Sequence, residues 1–317
     1  MKLRSSVAGL ALAAGLGVMV AGCGQVNMVR AQKVFKDANK LYAASDWRAA
    51  AAKYQEAIDL SADDNPNKGY SYFFLANCLD NMYRPTRAGE AENDALLTRA
   101  IDNYKRASES IADPLWKRRS LEFLVAAYGP DKLNDPTMAE PIVKQMISLE
   151  PNEASHYFSL ARIYEDSGEY ELAEETLAQA KNARPNDPSV QSFIAGYYER
   201  QGDFEKMLGA LEDRVKLEPN NPEAYYSMSV AYWQWGRDLR LTEPQRLEKV
   251  LLGLEAADKA IQIKSDYMEA IAYKNILLRV QATLIKDPAK QQQLLREADE
   301  LRNRAEEMRK AKNTATN

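Results

Sequence analysis

Residues 154–185 read ASHYFSLARIYEDSGEYELAEETLAQAKNARP, and this stretch decides the fold. Tyr157, Leu160, Ala161 and Tyr164 recur at three- and four-residue steps, which places them on one stripe of a helix. Gly168 interrupts the pattern, Ala173, Leu177 and Ala180 form a second stripe, and Pro185 closes the unit. A helix–turn–helix hairpin follows. The pattern returns 34 residues later as Ile194, Ala195, Tyr198, Gly202, Met207, Leu211 and Pro219. A third copy opens at Pro222 with Tyr225, Met228, Ser229, Tyr232 and Gly236. Such a period is the mark of stacked repeats, each too thin to bury its apolar side alone.

The unit resembles the tetratricopeptide repeat (TPR), whose first helix carries an aromatic, Leu, Gly or Ala and Tyr, and whose second carries Ala, an aromatic and Ala before a Pro. The spacing has a direct physical sense. Ala161 and Ala173 let two helices approach closely, Gly168 and Gly202 reverse the chain, and a Pro at the start of the next helix gives up no needed hydrogen bond. Weaker copies flank the three. Ala38, Leu41, Ala50, Tyr54 and Ala57 make one, Leu75, Ala76, Leu79, Ala100, Tyr104 and Ala107 a second, and Ala127, Ala139, Val143 and Met146 a third. Tyr273 and Leu277 open a last copy that ends in the helix of Ala298 and Ala305. The resemblance implies an all-α protein: a right-handed superhelical α-solenoid of about seven TPR-like hairpins over residues 31–285, with a C-terminal capping helix and short polar tail over 286–317.

The second, sixth and seventh copies each hold twelve extra residues, near Arg84–Leu96, Arg237–Lys249 and Gln281–Gln293. Shared equally between paired helices, they lengthen each by about 9 Å. In the final helix, Leu294, Ala298, Leu301, Ala305 and Met308 form one narrow stripe among Arg, Glu, Gln and Lys, as a cap with one polar face requires. A frayed tail is expected from Asn313 to Asn317.

The first residues read as an address. Lys2 and Arg4 precede an uncharged, Ala-, Leu-, Val- and Gly-rich run from Ser5 to Gly22, the layout of a secretory signal. The run ends in Val20-Ala21-Gly22-Cys23, which resembles the bacterial lipobox, where cleavage precedes the Cys and its thiol receives a diacylglycerol. This implies a cleaved signal peptide over 1–22, lipidation (palmitate-type acylation) of Cys23 and a tether over 23–30. Gly24, standing where the enterobacterial retention signal has Asp, implies the outer membrane, facing the periplasm. Gly24 to Arg30 spans at most about 25 Å, so the body is expected to lie against the leaflet.

Composition narrows the chemistry. The chain of 317 residues has one His and two Cys, which excludes a multi-histidine metal site, a four-thiolate zinc site and a disulfide framework. A net charge of −4 gives nucleic acid no basic footprint. No phosphate loop, zincin motif or nucleophile elbow occurs in the sequence. His156 reads as structural, Cys78 as buried and inert, and no cofactor, metal or enzymatic role is expected.

What remains is a surface. First helices of TPRs line the concave side, and carrying the family's ligand-facing offsets onto this chain implies a peptide-binding groove of Phe35, Asn39, Tyr42, Tyr70, Phe73, Asn77, Phe158, Arg162, Glu165, Tyr226 and Trp233. Aromatic residues at such positions make good anchors, because they offer area at low entropic cost. The alternative reading has several of them packing on adjacent helices. Asn39 and Asn77 match the Asn of the TPR carboxylate clamp, but Phe35 and Phe73 stand at its basic position, which disfavours a terminal-carboxylate ligand. The resemblance therefore implies a scaffold recruiting a protein or peptide partner in envelope assembly, pilus or secretion machinery. A glycan- or solute-binding outer-membrane lipoprotein is the other reading, with Trp47, Trp116, Trp233 and Trp235 as stacking platforms.

Overall fold

The computed structural model describes residues 26–63 and 65–315. The signal run, Cys23 and the last two residues of the tail lie outside the described residues. Among those described there is no strand. The chain divides into two compact units, meeting at Ala173 and Glu174.

The first unit holds α1 (26–43), α2 (Trp47–Leu60), α3 (Lys68–Met82), α4 (Ala91–Ser110), α5 (Pro114–Tyr128), α6 (Pro136–Leu149) and α7 (Ala154–Asp166). Each helix from α2 to α7 packs on its neighbour in sequence. Helix α8 (Tyr170–Ala183) begins at the end of this unit and continues into the second. The second unit continues with α9 (Pro188–Gln201), α10 (Phe204–Leu217), α11 (Pro222–Gly236), α12 (Glu243–Ile263), α13 (Met268–Leu284) and α14 (Pro288–Ala315). From α9 onward neighbours again pack in sequence, and α11 also touches α13.

The helices start where short polar residues meet Pro. Asp113, Asp187, Asn221 and Asp287 each accept a hydrogen bond, at 2.9 to 3.0 Å, from the backbone N–H two residues on. A Pro follows each of them at the first helical position. The cap satisfies an orphan donor and contributes about 1 kcal/mol, and the Pro ring presets φ. The reversals need a left-handed residue. Gly168 (φ +76°) and Gly202 (φ +70°) supply it in the fourth and fifth hairpins. Ser45 (φ 58°) and Asn134 (φ 51°) supply it in the first and third, where the sequence has no Gly at that place. That substitution explains why these copies look degenerate while folding alike.

The alanine positions are the close-approach points: Ala38, Ala50, Ala76, Ala100 and Ala127 are fully buried in the first unit, and Ala224, Ala231, Ala257 and Ala270 in the second. Gly253 serves the same end. A Cβ there would sit 3.1 Å from a Leu277 methyl and 3.2 Å from the Tyr232 Cβ.

Three boundaries differ from the sequence expectation. Residues 26–30, expected to belong to the tether, are helical. The final helix runs on to Ala315, through residues read as a frayed tail. The extra residues are not shared equally between paired helices. Helices α3 and α11 have 15 residues each and α13 has 17, while α4 has 20, α12 has 21 and α14 has 28, against 14 in α6 and α10, so only in the seventh hairpin does the first helix take a share. Elsewhere the growth goes to the second helix and to the connecting segment, because the first helix is stopped. Tyr83 is extended, and Pro85 holds Arg84 out of the helical region at φ −125°, ψ 110°. The sixth hairpin restarts at a capping box, Thr242 with Gln245.

Candidate functional site

In the first three helices of the first unit the implied groove residues are engaged by neighbouring side chains. Phe73 is 4% exposed, and its ring centroid lies 5.1 Å from Trp116, 5.3 Å from Phe74, 5.6 Å from Phe123 and 5.9 Å from Tyr104. Phe35 meets Tyr54 and Phe74 edge-on, and Tyr70 meets Trp116 edge-on. Asn77 is buried too: it accepts from the Tyr42 hydroxyl at 2.6 Å and donates to the Tyr104 oxygen at 3.4 Å. Asn39 accepts from the Tyr54 hydroxyl at 2.7 Å. Phe73 and Asn77 are thus core residues rather than ligand-facing ones. Burial, with its cost to the phenolate, holds the Tyr42, Tyr54 and Tyr104 hydroxyls above their usual pKa, which keeps them as donors.

In the fourth hairpin Phe158 is half-buried, and Arg162 is exposed and paired with Asp166 (3.1 Å) and Glu165 (3.5 Å). These belong to the first unit.

The second unit has the open site. Tyr226, half-buried, lies edge-on to Tyr267 at 5.7 Å and to Tyr273 at 5.3 Å. Trp233 stands 5.6 Å from Tyr273, and the Arg237 guanidinium lies over its ring, 4.6 Å from the centre. The indole N–H of Trp233 is buried with no acceptor. Beside the aromatic wall lies a cavity of about 410 Å³ between α11, α13 and α14. Tyr226, Met268, Ala272, Tyr273, Ile276 and Ala305 make its apolar lining. Glu269, Arg302, Glu306 and Arg309, all exposed, stand around it. An apolar trough with charges at its rim can take an aliphatic or aromatic side chain from a segment whose polar groups stay in water.

Sequence reasoning named Tyr226 here; its other candidate, Trp233, touches Tyr273 but does not line the cavity, and Met268, Ala272, Tyr273, Ile276 and the α14 residues were missed. Buried Ala224 and Ala270 are equivalent, so the offset that selects Tyr226 selects Ala272 one hairpin later. That signal was readable. The contribution of α14 was not, because it depends on how the last helix lies against α13.

The extension in the second hairpin builds a different feature. An open cavity of about 970 Å³ lies between α2, the end of α3 and α4, and Arg48, Arg84, Arg87 and Arg99 stand around it.

The remaining reactive groups are accounted for by structure. His156, 2% exposed, shares a hydrogen bond of 3.0 Å with Glu150, which also meets Arg118 at 3.2 Å. Those partners hold the Glu150 carboxyl below the usual range, the His156 hydrogen bond first. Cys78 is free and buried, and burial pushes its thiol up to about 12. Among the described residues no group of His, Cys, Asp and Glu is placed to hold a metal ion, and no helix is long and apolar enough to cross a membrane. All four tryptophan rings are engaged: Trp47 by Tyr42, Trp116 by Phe73 and Arg119, Trp233 by Tyr273 and Arg237, and Trp235 by Phe204 and Lys249.

Comparison with known proteins agrees with this architecture. The family model of the tetratricopeptide repeat matches residues 132–196. No curated protein matches the sequence. Among solved structures, the C-terminal part of a TPR repeat-containing protein from Cytophaga hutchinsonii is 15% identical, with a TM-score of 0.55 over 84% of this chain and 95% of that one. A tetratricopeptide repeat protein from Parabacteroides merdae is 13% identical, with a TM-score of 0.48 over 84% and 98%. MamA from Desulfovibrio magneticus is 16% identical, with a TM-score of 0.41 over 67% and 96%. The family model thus places a tetratricopeptide repeat in the middle of the chain, and helix hairpins stand on either side of it.

Proposed function

We propose that the protein is a non-enzymatic scaffold, anchored through an acylated Cys23 to the outer membrane and facing the periplasm, that recruits a protein or peptide partner through the groove of its second unit. The observation that carries the binding half is the cavity under Tyr226, walled by Met268, Ala272, Tyr273, Ile276 and Ala305, with charged residues at its rim. The unit spends most of its aromatic residues on packing, yet leaves this apolar trough uncovered. An anchor side chain entering it would gain most of its burial energy there. The anchoring half rests on the charged start, the apolar run and the Val20–Cys23 ending.

A photo-crosslinking residue at Ile276, in cells, is expected to give a discrete adduct. The same residue at Leu239, which is 85% exposed and outside the cavity, is expected to give none. Against the partner so found, Tyr226→Ala should weaken binding at least about tenfold with the fold intact by circular dichroism. Equal adducts at both positions, or unchanged affinity, would refute the groove. Cys23→Ser should release the protein from membranes. Retention after a salt and carbonate wash would refute the lipid anchor.

A further inference from the structure

Helix α1 carries two faces. Ala31 and Ala38 are buried, and Phe35, Leu41 and Tyr42 pack against the core of the first unit. On the other side Val26, Val29, Lys33, Lys36 and Lys40 follow one another at steps of three and four, and all five are exposed. Arg30 lies beside this stripe. The apolar members sit at the start of the helix: Val26 is 58% exposed, Val29 62% and the adjacent Met28 46%. The cations follow over the next turns, and the helix's single acid, Asp37, is taken up by Lys40 at 2.8 Å. A chain with a net charge of −4 therefore presents one helix face of opposite sign, with an uncovered apolar tip.

We propose that this face of α1 docks on an anionic lipid surface, with Val26, Met28 and Val29 entering the interfacial region and Arg30, Lys33, Lys36 and Lys40 meeting headgroup phosphates. Two observations select a bilayer as the occupant. The sign of the stripe complements anionic headgroups, which attract basic side chains near a membrane surface. Val26 also stands only three positions after Cys23 in the sequence, so the apolar tip starts within about 10 Å of the point where an acyl chain would enter the leaflet. The inference rests on the anchor reading for its setting. An anchor would raise the local concentration of the face at the surface, so a weak contact suffices to lay α1 along the membrane.

The test leaves the acyl chain out. The protein from residue 23 onward, the form that signal cleavage would leave, carrying Cys23→Ser, is mixed with vesicles of phosphatidylcholine containing about 30 mol% phosphatidylglycerol, or of phosphatidylcholine alone, and the bound fraction is read by flotation. Adding Lys33→Gln, Lys36→Gln and Lys40→Gln should lower partitioning onto the anionic vesicles at least about tenfold and leave binding to neutral vesicles unchanged. Raising the salt from about 0.05 M to about 0.5 M should do the same to the unmodified face. All three lysines are exposed, so circular dichroism is expected to be unchanged. Equal binding of both proteins to anionic vesicles overturns the proposal. So does a dimer in solution that Val29→Asp dissociates, since the face would then belong to a second copy. Because no arm contains a lipidated Cys, the outcome is independent of whether Cys23→Ser releases the protein from cells.

Discussion

Replacing Phe73 by Ala separates the two roles that a concave-offset aromatic can play. The ring is 4% exposed and is ringed by Phe74, Tyr104, Trp116 and Phe123 at centroid distances between 5.1 and 5.9 Å, each edge-on. Truncation removes its buried area and leaves a cavity lined by other rings, which costs about 3–5 kcal/mol for a Phe in such a site. Edge-to-face pairs account for a part of that, about 0.5–1.5 kcal/mol for each pair beyond area burial. For a unit of this size, 1 kcal/mol moves the melting temperature by about 2–4 °C, so a fall of roughly 6–20 °C is expected for the first unit. Phe73→Leu keeps much of the volume and should cost about 1–1.5 kcal/mol. The assay is thermal and urea unfolding followed by far-ultraviolet circular dichroism, alongside partner affinity. Affinity is expected to hold, since the proposed groove lies in the other unit. A Phe73→Ala protein as stable as the parent, with affinity lost, would show that Phe73 faces a ligand and that the aromatic seam does not exist.

Further outcomes follow from local geometry. Gly202 ends α9 at φ +70° with no atom within 4 Å of an added Cβ, so Gly202→Ala should lower stability in urea unfolding through backbone strain alone, by about 1–2 kcal/mol, and Gly202→Asn by less. An Ala variant of unchanged stability would mean that the turn is not left-handed. Glu150 has a depressed carboxyl pKa in the folded protein. Its contribution to stability is therefore complete above the ordinary value near ~4.3 and is lost as pH falls through the lowered one. Between about pH 5 and pH 3 the parent should thus lose more stability than Glu150→Gln. Parallel losses in the two proteins would remove Glu150 from the acid response.

Much of this protein is legible in the order of its residues, because a hairpin is a local object. Its stripes, its reversing residue and its Asx-Pro starts all lie within about thirty positions, and short-range sterics and hydrogen bonding set them. Ala161, Ala173, Gly168 and Gly202 therefore stand in the structure where their spacing put them. The aromatic residues are a different matter. Whether Phe73 faces solvent or core depends on Trp116 and Phe123, which arrive with the next hairpin, and whether Asn77 is available depends on Tyr42 from the previous one. A repeat offset names the direction of a side chain and not what stands opposite it. The same holds for the cavity of the second unit, whose walls come from α11, α13 and α14 and exist only once those helices lie together. Local periodicity determined the helices and their pairing. Side chains distant in sequence decided which surfaces stayed open, since burial is a property of neighbours and stacking alone supplies them.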